Sequence, residues 1–254
     1  DKTQAIETTR YVLEELAKSR SQKKERAHRE FADQFAQAMV DNLNRNVARE
    51  QSMLDPYIRD ALRFALEAHE IHQKQKRKGK DIAYITHPLT VGLILARAGA
   101  WPHIIAGGIL HDTMEDSVPE HKVTYEILSE RFGPSVADIV RDVTEPDKDL
   151  PWAERKQEAL EHLKTIDGPS LWVKTADVIS NVSEILDDYR RDGEAIFSRF
   201  NAPKEDIIAN YRAVIEALLA RWGEFSGNPM TLDLKTLAYD LAQLAEPSAT
   251  IGTE

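Results

Sequence analysis

Apolar positions recur along this chain at helical spacing rather than at the period of strands. MLDPY (53–57) marks a helix start, with Asp55 suited to cap it and Pro56 to its first turn. Ile58, Leu62, Ala65, Leu66 and His69 then share one face, and the helix dissolves into the basic run KQKRKGK (74–80). YITHP (84–88) reads as a short non-helical connection, because Pro88 biases His87 away from the α region; Pro88 itself opens the next helix, which stops near Gly99. WPHIIAGGILHDTMED (101–116) reads as one helix that carries its apolar face into a cluster of acids before SVPE breaks it. Further helices are predicted over 123–132, from Pro134 to Thr144, and from Trp152 to Thr165. One strong helix follows in SLWVKTADVISNVSEILDDYRRD, then APKEDIIANYRAVIEALLARWG and NPMTLDLKTLAYDLAQLAE. At the other end, Ile6, Val12, Leu13, Leu16 and Ala17 make one weak stripe, and Phe31, Phe35, Met39 and Leu43 another, on either side of SRSQKKER (19–26).

The pattern therefore predicts an all-α protein, with a charged helical extension over 1–52 and a helical domain over 53–254. The extension carries no recognisable chemistry and is expected to serve packing or homo-oligomerisation. Parallel-strand patterns are missing, which argues against a Rossmann or P-loop fold.

Composition narrows the chemistry. The chain has 254 residues, 42% of them hydrophobic, with eleven Gly and eleven Pro, enough apolar material for a real core. No apolar run is long enough to span a membrane, and the opening DKTQAIETTR lacks the apolar core of a secretory signal, so a cytoplasmic protein is expected. With zero cysteines, any metal must be held by His and carboxylate. A formal charge of −10 argues against nucleic acid as a partner but leaves room for a local basic pocket that takes a phosphorylated ligand. Trp101, Trp152 and Trp172 are read as core aromatics.

HDTMED (111–116) packs four ionisable groups into six positions. On one continuous helix, His111 and Glu115 would form one row and Asp112 and Asp116 a neighbouring row. Such a cluster is costly in an apolar setting unless a cation balances it. Two more candidate ligands stand in apolar contexts: His87, beside Pro88, and Asp177, flanked by Val173, Ala176 and Ile179. His87, His111, Asp112 and Asp177 would then converge from separate helices, as metal sites in helical bundles do. Taken singly, each has a plainer reading, as a turn histidine or a surface acid. KQKRKGK, taken alone, reads as solvated surface.

Jointly, HP (87–88), HDTMED (111–116) and KTADVISN (174–181) resemble the HD-domain signature of guanosine polyphosphate (alarmone) hydrolases, the hydrolase part of RelA/SpoT-type proteins and the small alarmone hydrolases. HQKQKRKG (72–79), FGPSVADIVRDVTE (132–145) and Trp152, Arg155 and Lys156 extend the likeness over about residues 55 to 200. The resemblance implies an HD-domain helical bundle and removal of the 3′-pyrophosphate from guanosine tetra- or pentaphosphate. It implies one divalent metal ion, Mn2+, on His87, His111, Asp112 and Asp177, with Glu115 and Asp116 positioning and activating water. Arg77 and Lys78 would meet phosphate or base, Tyr84 would line the pocket, and Asn181 would touch ribose or phosphate. Val178 and Ser183 stand where the family often has basic residues, which removes positive charge near the expected phosphate site. Two alternatives stay open: an HD phosphohydrolase for another nucleotide, such as an adenosine alarmone or a phosphorylated dinucleotide, and a catalytically silent HD regulatory module.

Overall fold

The computed structural model describes residues 55–145, 150–223 and 228–245. The expected extension over 1–52, and with it the oligomerisation role, lies outside the described residues. So do most of the loop after Glu145 and the tail from residue 246.

Helix α1 (Pro56–Leu66) runs directly into a π-helical turn, Glu67–His72. It is followed by α2 (Thr86–Arg97), α3 (Pro102–Leu110), the short α4 (Thr113–Asp116) and a 3₁₀ turn, Pro119–His121. Then come α5 (Tyr125–Phe132), α6 (Pro134–Val143) and α7 (Trp152–Leu163). The long α8 (Gly168–Asp192) leads through a 3₁₀ turn, Gly193–Arg199, to α9 (Lys204–Gly223) and α10 (Met230–Ala245). No strand occurs among the described residues; a lone antiparallel bridge joins Lys76 to Ala83. The all-α expectation holds.

α3 lies at the centre. It packs against α1, α2, α6 and α8, and every residue from Ile104 to Leu110 is buried. A helix apolar on all sides has no solvent face to present, so it becomes the axis of the core. α8 is the second hub, touching α2, α3, α6, α9 and α10. Its start is fixed by Asp167, whose carboxylate accepts from the Ser170 N–H at 2.8 Å.

Three expectations are corrected. The helix over 101–116 is not continuous: α3 ends at Leu110, His111 and Asp112 form a turn with Asp112 at φ −92, ψ −4, and α4 restarts at Thr113. Side chains meet the final carbonyls of α3. His111 Nδ1 lies 2.8 Å from the Gly108 oxygen, and the Thr113 hydroxyl donates to the Leu110 oxygen at 2.7 Å. His87 is also not in a connection. It is the second residue of α2, where Pro88 costs nothing because first-turn N–H groups have no intrahelical acceptor. Trp101 is 49% exposed rather than core. Trp172 does pack inside, edge-on to Trp222 at 5.8 Å, and Trp152 is half-buried.

Glycines let the neighbours of α3 approach closely. A Cβ on Gly107 would meet the Ile139 side chain at 2.7 Å, and one on Gly108 would meet Leu95 at 2.3 Å and Val91 at 3.2 Å. Leu95 and Val91 are fully buried and have nowhere to move. Gly108→Val should therefore destabilise the domain by about 2 kcal/mol or more, the usual cost of overpacking. Urea denaturation monitored by circular dichroism measures it, and an unchanged midpoint would contradict this account of the α2–α3 contact.

Candidate metal centre

The break after Leu110 turns His111 and Asp112 toward α2 and α8. His87 comes from the first turn of α2 and Asp177 from the middle of α8. His87 Nε2 lies 3.2 Å from Asp177 Oδ1 and 3.6 Å from Asp112 Oδ2; His111 Nε2 lies 3.0 Å from Asp112 Oδ2 and 3.8 Å from Asp177 Oδ1. His87, His111 and Asp177 each offer a ligand atom within 4.8 Å of the others, and all three are buried. Asp112 is the fourth group at the same point.

The outer contacts orient these ligands. The Gly108 oxygen can only accept, so the His111 proton sits on Nδ1 in the neutral ring, and the Nε2 lone pair faces the carboxylates. His111 Nε2 is buried, with Asp112 Oδ2 at 3.0 Å as its nearest polar neighbour. Ser180 Oγ lies 3.1 Å from His87 Nδ1 and holds the orientation of that ring. Lys174 donates to Asp177 Oδ2 at 2.9 Å, so that Oδ1 faces the histidines. The Tyr84 hydroxyl donates to Asp112 Oδ2 at 2.5 Å.

Electrostatics here favour positive charge. Burial opposes ionising His111, but Asp112, Asp177 and the Gly108 carbonyl outweigh it and raise its pKa to about 9. Burial likewise opposes the Asp112 and Asp177 carboxylates, yet both are held well below the usual range, Asp112 chiefly by His111 and Asp177 chiefly by Lys174. Two imidazole nitrogens and two carboxylates suit a borderline or hard divalent ion such as Mn, Fe or Zn, and the buried His111 Nε2, turned toward both carboxylates, is a donor atom such an ion could use.

The cluster forms the floor of a cleft of about 610 Å³. Glu115 and Asp116 line it beside the metal ligands, from α4 rather than from rows on α3. Asp116 Oδ2 accepts from Gln75 Nε2 at 2.9 Å, and Gln75 Oε1 lies 3.1 Å from Nδ1 of the fully buried His69. The π-helical turn that carries His69 is an uncommon distortion, frequent at functional sites.

The basic run is solvated only in part: Lys74, Lys76 and Lys78 are exposed, while Arg77 and Lys80 turn inward. Gln75 to Tyr84 fold back as a hairpin-like loop, with Arg77 N donating to the Ile82 oxygen and Tyr84 N to the Gln75 oxygen, both at 2.9 Å. Arg77 stands 5.5 Å over the Tyr84 ring and is ion-paired to Glu184; its Nη2 donates to Asn181 Oδ1 at 3.1 Å. Asn181 Nδ2 in turn donates to Asp177 Oδ1 at 2.6 Å. Burial opposes the Glu184 carboxylate, but Arg77 and Lys80 pull its pKa down to about 2. Lys78 lies 5.4 Å over the Phe200 ring, near Arg155 and Lys156, which share Glu145.

Every site residue expected from the sequence thus lines one cleft. Sequence reasoning missed Lys174, Ser180, Gln75, His69 and Glu184. Lys174 was detectable, three residues before Asp177 on the same face; the others carry no local signal. Ser183 lines a separate groove between α2, α8 and α10, so the missing charge at 183 does not bear on the cleft, whereas Val178 does border it.

Known proteins resemble this chain in sequence and fold. The family described as HD domain covers residues 61–208. Over 130 residues the chain is 35% identical to a guanosine-3′,5′-bis(diphosphate) 3′-pyrophosphohydrolase, MESH1, of Xenopus tropicalis, spanning 50% of this chain and 69% of that protein. It is 38% identical over 124 residues to a protein of Aquifex aeolicus named guanosine-3′,5′-bis(diphosphate) 3′-pyrophosphohydrolase, spanning 46% of this chain and 16% of that one. A solved structure titled "A metazoan ortholog of SpoT hydrolyzes ppGpp and plays a role in starvation responses" superposes with a TM-score of 0.58 at 22% identity, covering 73% of this chain and 96% of that one; it shares the fold.

The purified protein should take up about one divalent ion per chain, as single-ion sites with this donor set do. Asp112→Ala should abolish that uptake, because an open site with a single carboxylate no longer balances the ion's charge. Elemental analysis after dialysis against manganese checks it, and full occupancy in the variant would remove Asp112 from the site.

Proposed function

The chain belongs to the HD-domain family, among the relatives of RelA/SpoT-type hydrolases, and on that premise we propose that it hydrolyses guanosine tetra- or pentaphosphate, releasing pyrophosphate from the 3′ position. The observation that carries this reading is the joining of His87, His111 and Asp177, with Asp112 against both histidines, two adjacent carboxylates and a basic rim in one cleft of about 610 Å³. That volume lies in the range of small-molecule sites. The relatives named 3′-pyrophosphohydrolases support it.

In the proposed reaction a water oxygen bonds to the phosphorus attached to the 3′ oxygen, and the bond from that phosphorus to the 3′ oxygen breaks. The water gives up a proton and the departing 3′ oxygen gains one. Glu115 and Asp116 are the carboxylates placed to take the first proton and orient the water, with Asp116 held by Gln75. A divalent ion on His87, His111, Asp112 and Asp177, proposed to be Mn2+, would supply a lowered water pKa and charge neutralisation at a phosphoryl oxygen. Asn181, Tyr84, Arg77 and Lys78 are proposed to bind the nucleotide. A nucleotide substrate goes with cytoplasmic action, and among the described residues no helix is long and apolar enough to cross a membrane. The silent-module reading is disfavoured because all four ligands and both carboxylates are present and convergent.

Glu115→Ala and Asp116→Ala should retain metal but lose turnover by roughly 10²-fold or more, the usual contribution of a general base. Chromatography of guanosine tetraphosphate incubations with manganese, wild type beside variants, measures this. A metal-loaded wild type inactive on guanosine and adenosine alarmones alike would favour the silent module, and activity confined to the adenosine series would transfer the reading to that nucleotide.

A further inference from the structure

The cations around the cleft are not equivalent. On the α8 side, Arg77 and Lys80 are largely buried and held by acids. Arg77 donates through Nε and Nη2 to Glu184, with Nε at 3.0 Å, and Lys80 Nζ lies 2.5 Å from both Glu184 and Asp188. Arg199, from the 3₁₀ turn after α8, also lines this wall and pairs with Asp188 and Asp192, so the cations here are largely matched by acids and the wall offers hydrogen-bond donors with little net charge. On the α7 side, Lys78, Arg155 and Lys156 gather around one acid, Glu145, so that side keeps a net positive charge among the described residues. A polyanion lowered into the cleft is drawn to the α7 side, while the α8 wall suits neutral acceptors such as ribose and base oxygens.

We propose that Glu184 is a selectivity residue: by pairing with Arg77 and Lys80 it neutralises their charge toward phosphate, leaving Arg77 to meet the nucleotide as a hydrogen-bond donor only, and so limits how many phosphates beyond the scissile pair the cleft accepts. This rests on the polyphosphate-hydrolase reading above. Glu184 is suited to the task because it touches none of the four metal ligands in the contacts observed. Asn181 stands between it and Asp177, bonded to Arg77 on one side and to Asp177 on the other. Removing its charge therefore changes the binding wall and leaves the metal centre in place.

The test is Glu184→Gln, nearly isosteric and neutral, beside Glu184→Asp, which keeps the charge. KM and kcat are measured for guanosine 3′-diphosphates carrying one, two or three 5′-phosphates. Freeing one or two cations near a polyanion should lower KM for the three-phosphate substrate by about tenfold, and by less for the one-phosphate substrate. The kcat and metal content should stay near wild type, and Glu184→Asp should keep the wild-type order. Adding Arg77→Gln to Glu184→Gln should erase most of the gain. A Glu184→Gln protein with a wild-type melting curve whose KM is unchanged or higher across the series overturns the proposal, because Glu184 would then be a structural clamp or a direct substrate contact. If the wild type turns over none of these nucleotides, the hydrolase reading fails separately. Calorimetric binding of inorganic tripolyphosphate, which needs no turnover, then decides on Glu184: tighter binding to Glu184→Gln supports its role, and equal or weaker binding rejects it.

Discussion

The burial of two ionised carboxylates against two imidazoles is the interaction on which the rest of this protein depends. Asp177 is buried and Asp112 partly so, in a setting where an isolated carboxylate would sooner protonate than stay charged. They remain charged because His87, His111 and Lys174 face them. Each outer contact serves that arrangement. The Gly108 carbonyl fixes the His111 tautomer, Ser180 sets the His87 ring, Tyr84 takes one side of Asp112, and Lys174 takes the far oxygen of Asp177.

The core supports the centre through a rigid axis. α3 is buried on all sides, and its paired glycines bring α2 and α6 close, so the end of α3 is fixed by packing rather than by a loop. At that fixed end the helix stops and its last carbonyls are met by His111 and Thr113. The same side chain therefore ends a helix and offers a ligand atom. A turn held this way keeps ligand positions within the tolerance that chemistry at a metal requires.

Charge is distributed unevenly on a protein that is acidic overall. The formal charge of −10 repels polyanions in general, while the cleft gathers cations locally and matches most of them with acids. Discrimination among phosphorylated ligands then depends on which cations are left unmatched more than on how many there are.

Helical class, element order and the identity of the metal-site candidates were legible from the sequence, because helical periodicity and the presence of His and Asp in apolar segments are local properties. His87, His111, Asp112 and Asp177 stood out for that reason, and the likeness of their joint pattern to alarmone hydrolases gave them roles. The break between α3 and α4 was not legible: Gly-Ile-Leu-His-Asp-Thr has helical spacing throughout, and only the side-chain bonds to the carbonyls of Gly108 and Leu110 end the helix there. His87 was misplaced because the restriction a proline imposes on the residue before it yields when a buried ring is anchored across the core. The pairing of Arg77 with Glu184 spans 107 positions, and that of Gln75 with Asp116 spans 41, separations over which a single sequence carries no periodic signal. The sequence by itself thus determined which groups were available to do chemistry. Tertiary structure alone decided which of them meet and which charges are already neutralised, because both depend on long-range packing of helices whose local patterns are indifferent to it.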